Sequence, residues 1–100
     1  MGRVRNPSAQ AHKLFVALLA KPKAWRHGYS LMQETGLNSG TLYPLLIRLT
    51  EAGVLETEWQ EPEREGRPPR HAYRLTGEGY AQAHALVAAA KKRRSGLAQA

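Results

Sequence analysis

The chain contains no cysteine, which excludes a disulfide framework and thiolate metal sites and is compatible with a reducing cytoplasm. It has no long hydrophobic run. The longest, Leu14 to Ala20, falls far short of the roughly 18 residues that a membrane-spanning helix needs. A secretion signal is not expected either, because His12 and Lys13 interrupt the apolar stretch and lysines follow at positions 21 and 23. The four histidines, His12, His27, His71 and His84, lack metal-ligand spacing, and neither a glycine-rich phosphate loop nor a nucleophile elbow occurs. These absences argue against catalysis and against any bound cofactor or metal. What remains is a binding protein, expected in the cytoplasm.

One hundred residues, 42% hydrophobic and 23% charged, make one small globular domain. A chain this short buries a modest share of its surface, so a second copy would add useful core. The net charge of +7 favours an acidic partner, of which nucleic acid is the commonest for a small chain. The charge is uneven. Residues 1–26 carry six Lys or Arg and no acid, residues 27–90 are mildly acidic, and residues 91–100 carry four cations. Shape rather than charge must therefore carry recognition in the central part.

That part is Gly28 to Leu55, GYSLMQETGLNSGTLYPLLIRLTEAGVL. It reads as a short helix from His27 or Gly28 to Thr35, a tight turn, a longer helix and the start of a strand. Leu42, Leu45, Leu46 and Leu49 recur at the spacing that puts apolar side chains on one helical stripe. At about 100° per residue, the opposite side belongs to Gly40, Pro44, Ile47 and Glu51, flanked by Thr41, Tyr43 and Arg48. A face so compact lets the backbone approach a partner closely, as entry into a major groove about 12 Å wide demands. Gly36 suits the end of the first helix, Asn38 or Ser39 the cap of the second, and Gly53 its stop. Pro44 lies near the helix start, where a wide or 3₁₀-like first turn is expected instead of a break.

Upstream, Asn6-Pro7 reads as a cap followed by proline at the first helical position, opening a helix over residues 7–20 with Leu14, Phe15, Leu18 and Leu19 inward. Lys21, Lys23 and Arg26 form a basic connector, equally suited to solvent and to phosphate. Leu31 and Met32 point inward from the next helix, and Tyr29 at its start suits either a phosphate contact or half-buried packing.

After Gly53 the pattern alternates. Leu55, Thr57 and Trp59 share one strand face, and His71, Tyr73 and Leu75 share a face of a second strand, with EPEREGRPP as the loop between them. Two antiparallel strands after a helix-turn-helix make a wing. Arg64, Arg67 and Arg70 are its candidate contacts to a phosphate backbone or minor groove, although Glu61, Glu63 and Glu65 offset their charge. Thr76 caps a last helix over residues 77–94, with Glu78 in its first turn and Lys91 to Arg94 at its end. Its stripe of Tyr80, Ala83, Leu86, Val87 and Ala90 is the natural surface for a second copy, and residues 95–100 are expected to fray. The expected fold is mainly α with a small two-stranded β wing: a winged helix-turn-helix over residues 1–76 followed by a C-terminal dimerisation helix.

The segments HGYSLMQETGLNSGTLYPLLIRLTEAGVLETEW and GRPPRHAYRLTGEG resemble the PadR-type bacterial transcriptional regulators. SGTLYPLLIRLTEAGVL with YRLT and GEG downstream is a specific signature; a generic helix-turn-helix pattern is not. The resemblance implies a homodimer held through the C-terminal helix with help from the first, usually repressing transcription at a pseudo-palindromic site on double-stranded DNA. Many members release DNA on binding a small aromatic or drug-like effector. The single short C-terminal helix looks like the smaller subfamily.

Carried onto these residues, the resemblance makes Ser39 to Gly53 the reading helix. Asn38, Ser39, Gly40, Thr41, Tyr43, Pro44 and Arg48 are then its DNA-facing positions. Thr41 and Tyr43 suit phosphate oxygens, Arg48 is the lone cation, and Pro44 or Ile47 suits a thymine methyl. With so few side chains able to make bidentate base contacts, DNA shape and dyad spacing are expected to carry much of the specificity. Trp59 is a possible effector contact, though packing is the plainer role for it and for Trp25. The rival reading is a winged helix that binds protein through Ile47 and the uncharged helix face, since the fold does not dictate function.

Overall fold

Leu42, Leu45 and Leu46 are buried and Leu49 packs half-buried against them, so the stripe read from their spacing faces the core. The computed structural model describes residues 9–62 and 64–99, with side chains to residue 93. The Asn6-Pro7 cap lies outside the described residues. The elements run α1 (Ala9–Ala20), β1 (Arg26–His27), α2 (Gly28–Thr35), α3 (Ser39–Glu51), β2 (Leu55–Gln60), β3 (Arg70–Leu75) and α4 (Gly77–Gln99). Leu14 and Leu18 from α1, Leu31 from α2, and Leu42 and Leu46 from α3 are almost wholly removed from solvent. Each such burial contributes about 1.5–3 kcal/mol. Leu55, Tyr73 and Leu75 close the cluster from the sheet and Ala83 closes it from α4.

Local signals set the helix ends. Gly36 takes a left-handed φ of 77° and its N–H donates to the Met32 carbonyl at 2.8 Å. Asn38 Oδ1 accepts from the Thr41 N–H at 2.9 Å, and Gly53, at φ 81°, lets the Val54 N–H reach the Leu49 carbonyl at 2.9 Å. Pro44 leaves α3 unbroken. The Asn38 carbonyl accepts from both the Thr41 and Leu42 N–H groups, at 3.1 and 2.9 Å. That pairing joins one 3₁₀-type bond to an α-type bond in the first turn.

The sheet is antiparallel in the order β1-β3-β2, one strand larger than the expected wing. Trp59 pairs with His71, Thr57 with Tyr73 and Leu55 with Leu75, so the alternation read from sequence is the real one. The added strand β1 pairs Arg26 with Tyr73 and His27 with Ala72. A two-residue strand has no alternation to read, which is why the sequence pattern did not reveal it.

Arg26 therefore departs from the exposed connector expected for it. Lys21 and Lys23 are exposed, whereas Arg26 is only 7% exposed. Its guanidinium donates to the Ala17 carbonyl at 2.9 Å and to the Glu34 carboxylate, tying α1 to α2. A buried cation needs such partners because dehydration alone would be costly. The hydrogen bond from Arg26 holds the Glu34 carboxyl below its ordinary value of 4.5, against the opposing effect of burial. The stability this pair supplies is complete above that ordinary value and is lost as pH falls through the depressed one. Glu34→Gln is expected to cost about 1 kcal/mol at neutral pH, since Glu34 remains partly exposed. It should also flatten the fall in melting temperature below pH 4.5. Parallel acid limbs for the two proteins would show that the pair does not carry that loss.

α4 runs on through Gln99, past the end expected at Arg94, with good helix formers outweighing Ser95 and Gly96. Thr76 caps it, its Oγ1 accepting from the Gly79 N–H at 2.9 Å. Ala83 is fully buried in the chain's own core. It packs α4 inward and offers no surface to a second copy, contrary to its expected place in a dimer contact. Leu86 and Val87 are half-buried against the same core, Ala90 is half-buried, and Tyr80 is 43% exposed.

Candidate nucleic-acid interface

The outer side of α3 is built by what its inner side buries. With the leucine stripe inward, Ser39, Gly40, Tyr43, Pro44, Ile47 and Arg48 are exposed and Thr41 is half-buried. Ile47 is 56% exposed, an apolar tip on a helix whose one cation is Arg48. Asn38 spends its Oδ1 on the helix cap, which leaves its amide N–H groups for an outside acceptor.

Tyr43 is held at its hydroxyl end. A Cβ built on Gly28 would lie 2.1 Å from the Tyr43 hydroxyl, so the phenol rests on the start of α2 through the absence of a side chain there. Gly28 directly follows β1, and Tyr43 thereby joins α3 to the β1 edge of the sheet. Tyr29, one residue on, is 66% exposed. Its hydroxyl accepts from Gln33 Nε2 at 3.3 Å and keeps its own proton to donate outward.

The wing supplies charge. Gly66 turns its tip with a φ of 85°, and Arg64, Arg67 and Arg70 line a cleft of about 420 Å³ with Pro62 and Pro68. Among the described residues no carboxylate lines that cleft, although Glu61 and Glu65 are neighbours in sequence. Arg70 is anchored as well: its guanidinium donates to His27 Nδ1 at 2.9 Å. Because arginine only donates, His27 carries its proton on Nε2, and that N–H donates to Gln60 Oε1 at 2.9 Å. The imidazole thus links β1, β2 and β3 at the base of the wing, a role that its isolated position in the sequence did not suggest.

On the sheet's core-facing side, Trp59 stacks on His71 with ring centroids 4.3 Å apart and planes 10° apart. The His71 ring lies 4.7 Å from that of Tyr73, with its Nδ1 3.2 Å from the Tyr73 hydroxyl. Burial pushes the Tyr73 phenol above its ordinary value of 10.0, and nearby Tyr43 adds to the effect. On the sheet's other side Arg74 lies over the Trp25 ring, 4.2 Å from its centroid, and pairs with Glu56 at 2.9 Å. Arg74, Glu56, Leu75 and Tyr80 border a groove of about 640 Å³ at the root of α4. No group of three or more potential metal ligands occurs among the described residues, and no helix there is long and apolar enough to cross a membrane.

The Transcriptional regulator PadR-like family matches residues 17–85, a span that runs from α1 through α3 and the β2–β3 hairpin into α4. The chain belongs to this family. PadR-like proteins are transcriptional regulators and not enzymes. The resemblance read from SGTLYPLLIRLTEAGVL and YRLT is thus the correct one. Among solved structures, a PadR-like transcription factor from Bacteroides fragilis is similar at 28% identity, with a TM-score of 0.71 and 90% of each chain covered. A PadR-like regulator from Bacillus cereus shares the fold at 19% identity, with a TM-score of 0.72 and coverage of 90% of this chain and 91% of that one. The PcaV transcriptional regulator from Streptomyces coelicolor, solved with its natural ligand, shares the fold at 22% identity and a TM-score of 0.68. The match covers 96% of this chain and 64% of PcaV. No curated protein sequence matches the chain significantly.

Proposed function

We propose that this PadR-like regulator binds double-stranded DNA in the cytoplasm as a homodimer and represses transcription from a pseudo-palindromic site. The observation that carries the reading is the pairing of two surfaces. One is the exposed, nearly uncharged face of α3; the other is an arginine-lined cleft on the wing. A slim helix enters a major groove, while arginines on a neighbouring hairpin hold the flanking phosphates. In this reading Thr41, Tyr43, Ser39 and the amide of Asn38 meet phosphate and base edges, with Arg48 and Tyr29 on the backbone. Ile47 and Pro44 lie against thymine methyls. Tyr80 and the outer edge of α4 meet the second copy. A small-molecule effector would find room in the groove at the root of α4, beside the helix on which dimer geometry depends.

Selection of bound fragments from a random duplex library tests the reading. It is expected to return two related half-sites one helical turn apart, about 34–36 Å, or a multiple of that spacing, with binding that weakens steeply as salt rises. A single unpaired half-site would remove the dimer from the proposal. Failure to enrich any sequence, together with salt-insensitive capture of a protein partner, would favour the protein-binding winged helix instead.

A further inference from the structure

Trp59 is 69% exposed, yet it is one of the best-supported side chains on the wing. It sits on a strand opposite His71, one ring face covered by the imidazole, and His71 is itself held beside the Tyr73 hydroxyl. The ring is therefore fixed in orientation before any partner arrives, and ordering it costs little on binding. The free part of the indole borders a small notch of about 200 Å³ together with Gln60, Glu61, Pro62 and Pro69. Pro62 is also a wall of the arginine cleft. A notch walled by the indole and two prolines, with Gln60 and Glu61 as its polar side, and an arginine cleft thus stand side by side and share Pro62. That alternation matches a nucleic-acid strand, in which an apolar sugar ring follows each phosphate. The notch lies on the core-facing side of the sheet, the side on which Tyr73 meets the helical body. Tyr43, from α3, meets Gly28 beside β1, at the sheet edge opposite β2.

We infer that Trp59 is a nucleic-acid contact: its indole packs against a deoxyribose at the edge of the minor groove while a phosphate of the same strand enters the Arg64 and Arg67 cleft. This rests on the proposed function and adds to it an aromatic anchor on the wing, one that holds the strand by its sugar while the arginines hold the phosphate. Aromatic contacts of this kind tolerate many sequences, because every nucleotide presents the same sugar. Trp59 therefore adds affinity without choosing bases.

The chain has two tryptophans, so Trp25→Phe leaves Trp59 as the sole reporter, and Trp59→Phe leaves only Trp25. Both proteins are titrated with duplexes selected from the random library, while anisotropy of a dye-labelled duplex follows binding independently. With Trp25→Phe, the emission of Trp59 should change on binding and its quenching by acrylamide should fall; with Trp59→Phe neither should move. Trp59→Ala should weaken binding about tenfold and leave the salt slope unaltered, since no charge is removed. Anisotropy that rises while Trp59 emission and quenching stay constant would overturn this inference and leave DNA binding standing. A response of Trp59 to free benzoate or salicylate but not to duplex would overturn it in favour of an effector contact. If anisotropy rises with no duplex, the proposed function fails first and takes this inference with it.

Discussion

Gly79→Ala is expected to lower the melting temperature by roughly 10–20 °C, equivalent to about 2–4 kcal/mol for a domain of this size. In an ordinary helix the same change stabilises by about 1 kcal/mol, because alanine is the better helix former. Here the sign reverses. A Cβ at position 79 would lie 1.9 Å from the Val54 carbonyl oxygen and 2.7 Å from its carbon. Both atoms are backbone and cannot rotate away. That carbonyl is also occupied by the Thr76 N–H at 3.1 Å, while the Thr76 hydroxyl donates to the Gly53 carbonyl at 2.7 Å. Relief of the clash therefore requires α4 to lift off the turn after α3, which withdraws Ala83 from the core and loosens α4 against α1. Gly77→Ala is the control, since nothing lies within 4 Å of a Cβ there, and it is expected to be neutral or slightly stabilising. Thermal melts followed by circular dichroism read both. Equal melting temperatures for Gly79→Ala and the parent would show that the close approach is not needed.

Replacing Arg64 and Arg67 together by alanine should reduce the slope of log affinity against log salt by about two units, at roughly 0.9 per phosphate contact. At 0.1 M salt this corresponds to about 50-fold weaker binding. Both side chains are exposed, so melting should be unaffected, and the change separates loss of contact from loss of fold. Glu61→Gln with Glu65→Gln should strengthen binding, because those carboxylates oppose the phosphates without bordering the cleft. An unaltered salt slope in the arginine variant would mean that the wing does not reach the duplex, leaving α3 alone at the interface.

The legible parts of this fold are those encoded within a few residues. The α3 stripe, the Asn38 cap, the left-handed glycines at 36 and 53 and the Thr76 cap each depend on neighbours within about one turn of helix. The pairing of β2 with β3 was legible for a related reason: alternation on both strands leaves one register that buries Leu55, Tyr73 and Leu75 together. Arg26 was not legible. Its charge resembles that of Lys21 and Lys23, and only the docking of α1 on α2 brings the Ala17 carbonyl and Glu34 within its reach. The convergence of the wing arginines was not legible for a similar reason: alternating Arg and Glu along the loop does not say which side chains turn together, and the fold brings Arg64, Arg67 and Arg70 to one cleft.

By itself, the sequence determined where α3 begins and ends, which of its faces is buried, and to which family the chain belongs. Periodicity, caps and a contiguous signature are local properties that survive without knowledge of the rest. Tertiary structure alone decided the burial of Arg26, the third strand, the clearance at Gly79, the arginine cleft and the stack of Trp59 on His71. Each depends on a contact between residues remote in the chain or on which way side chains turn from a common loop. Such contacts are set by how the elements pack, and no local pattern encodes them.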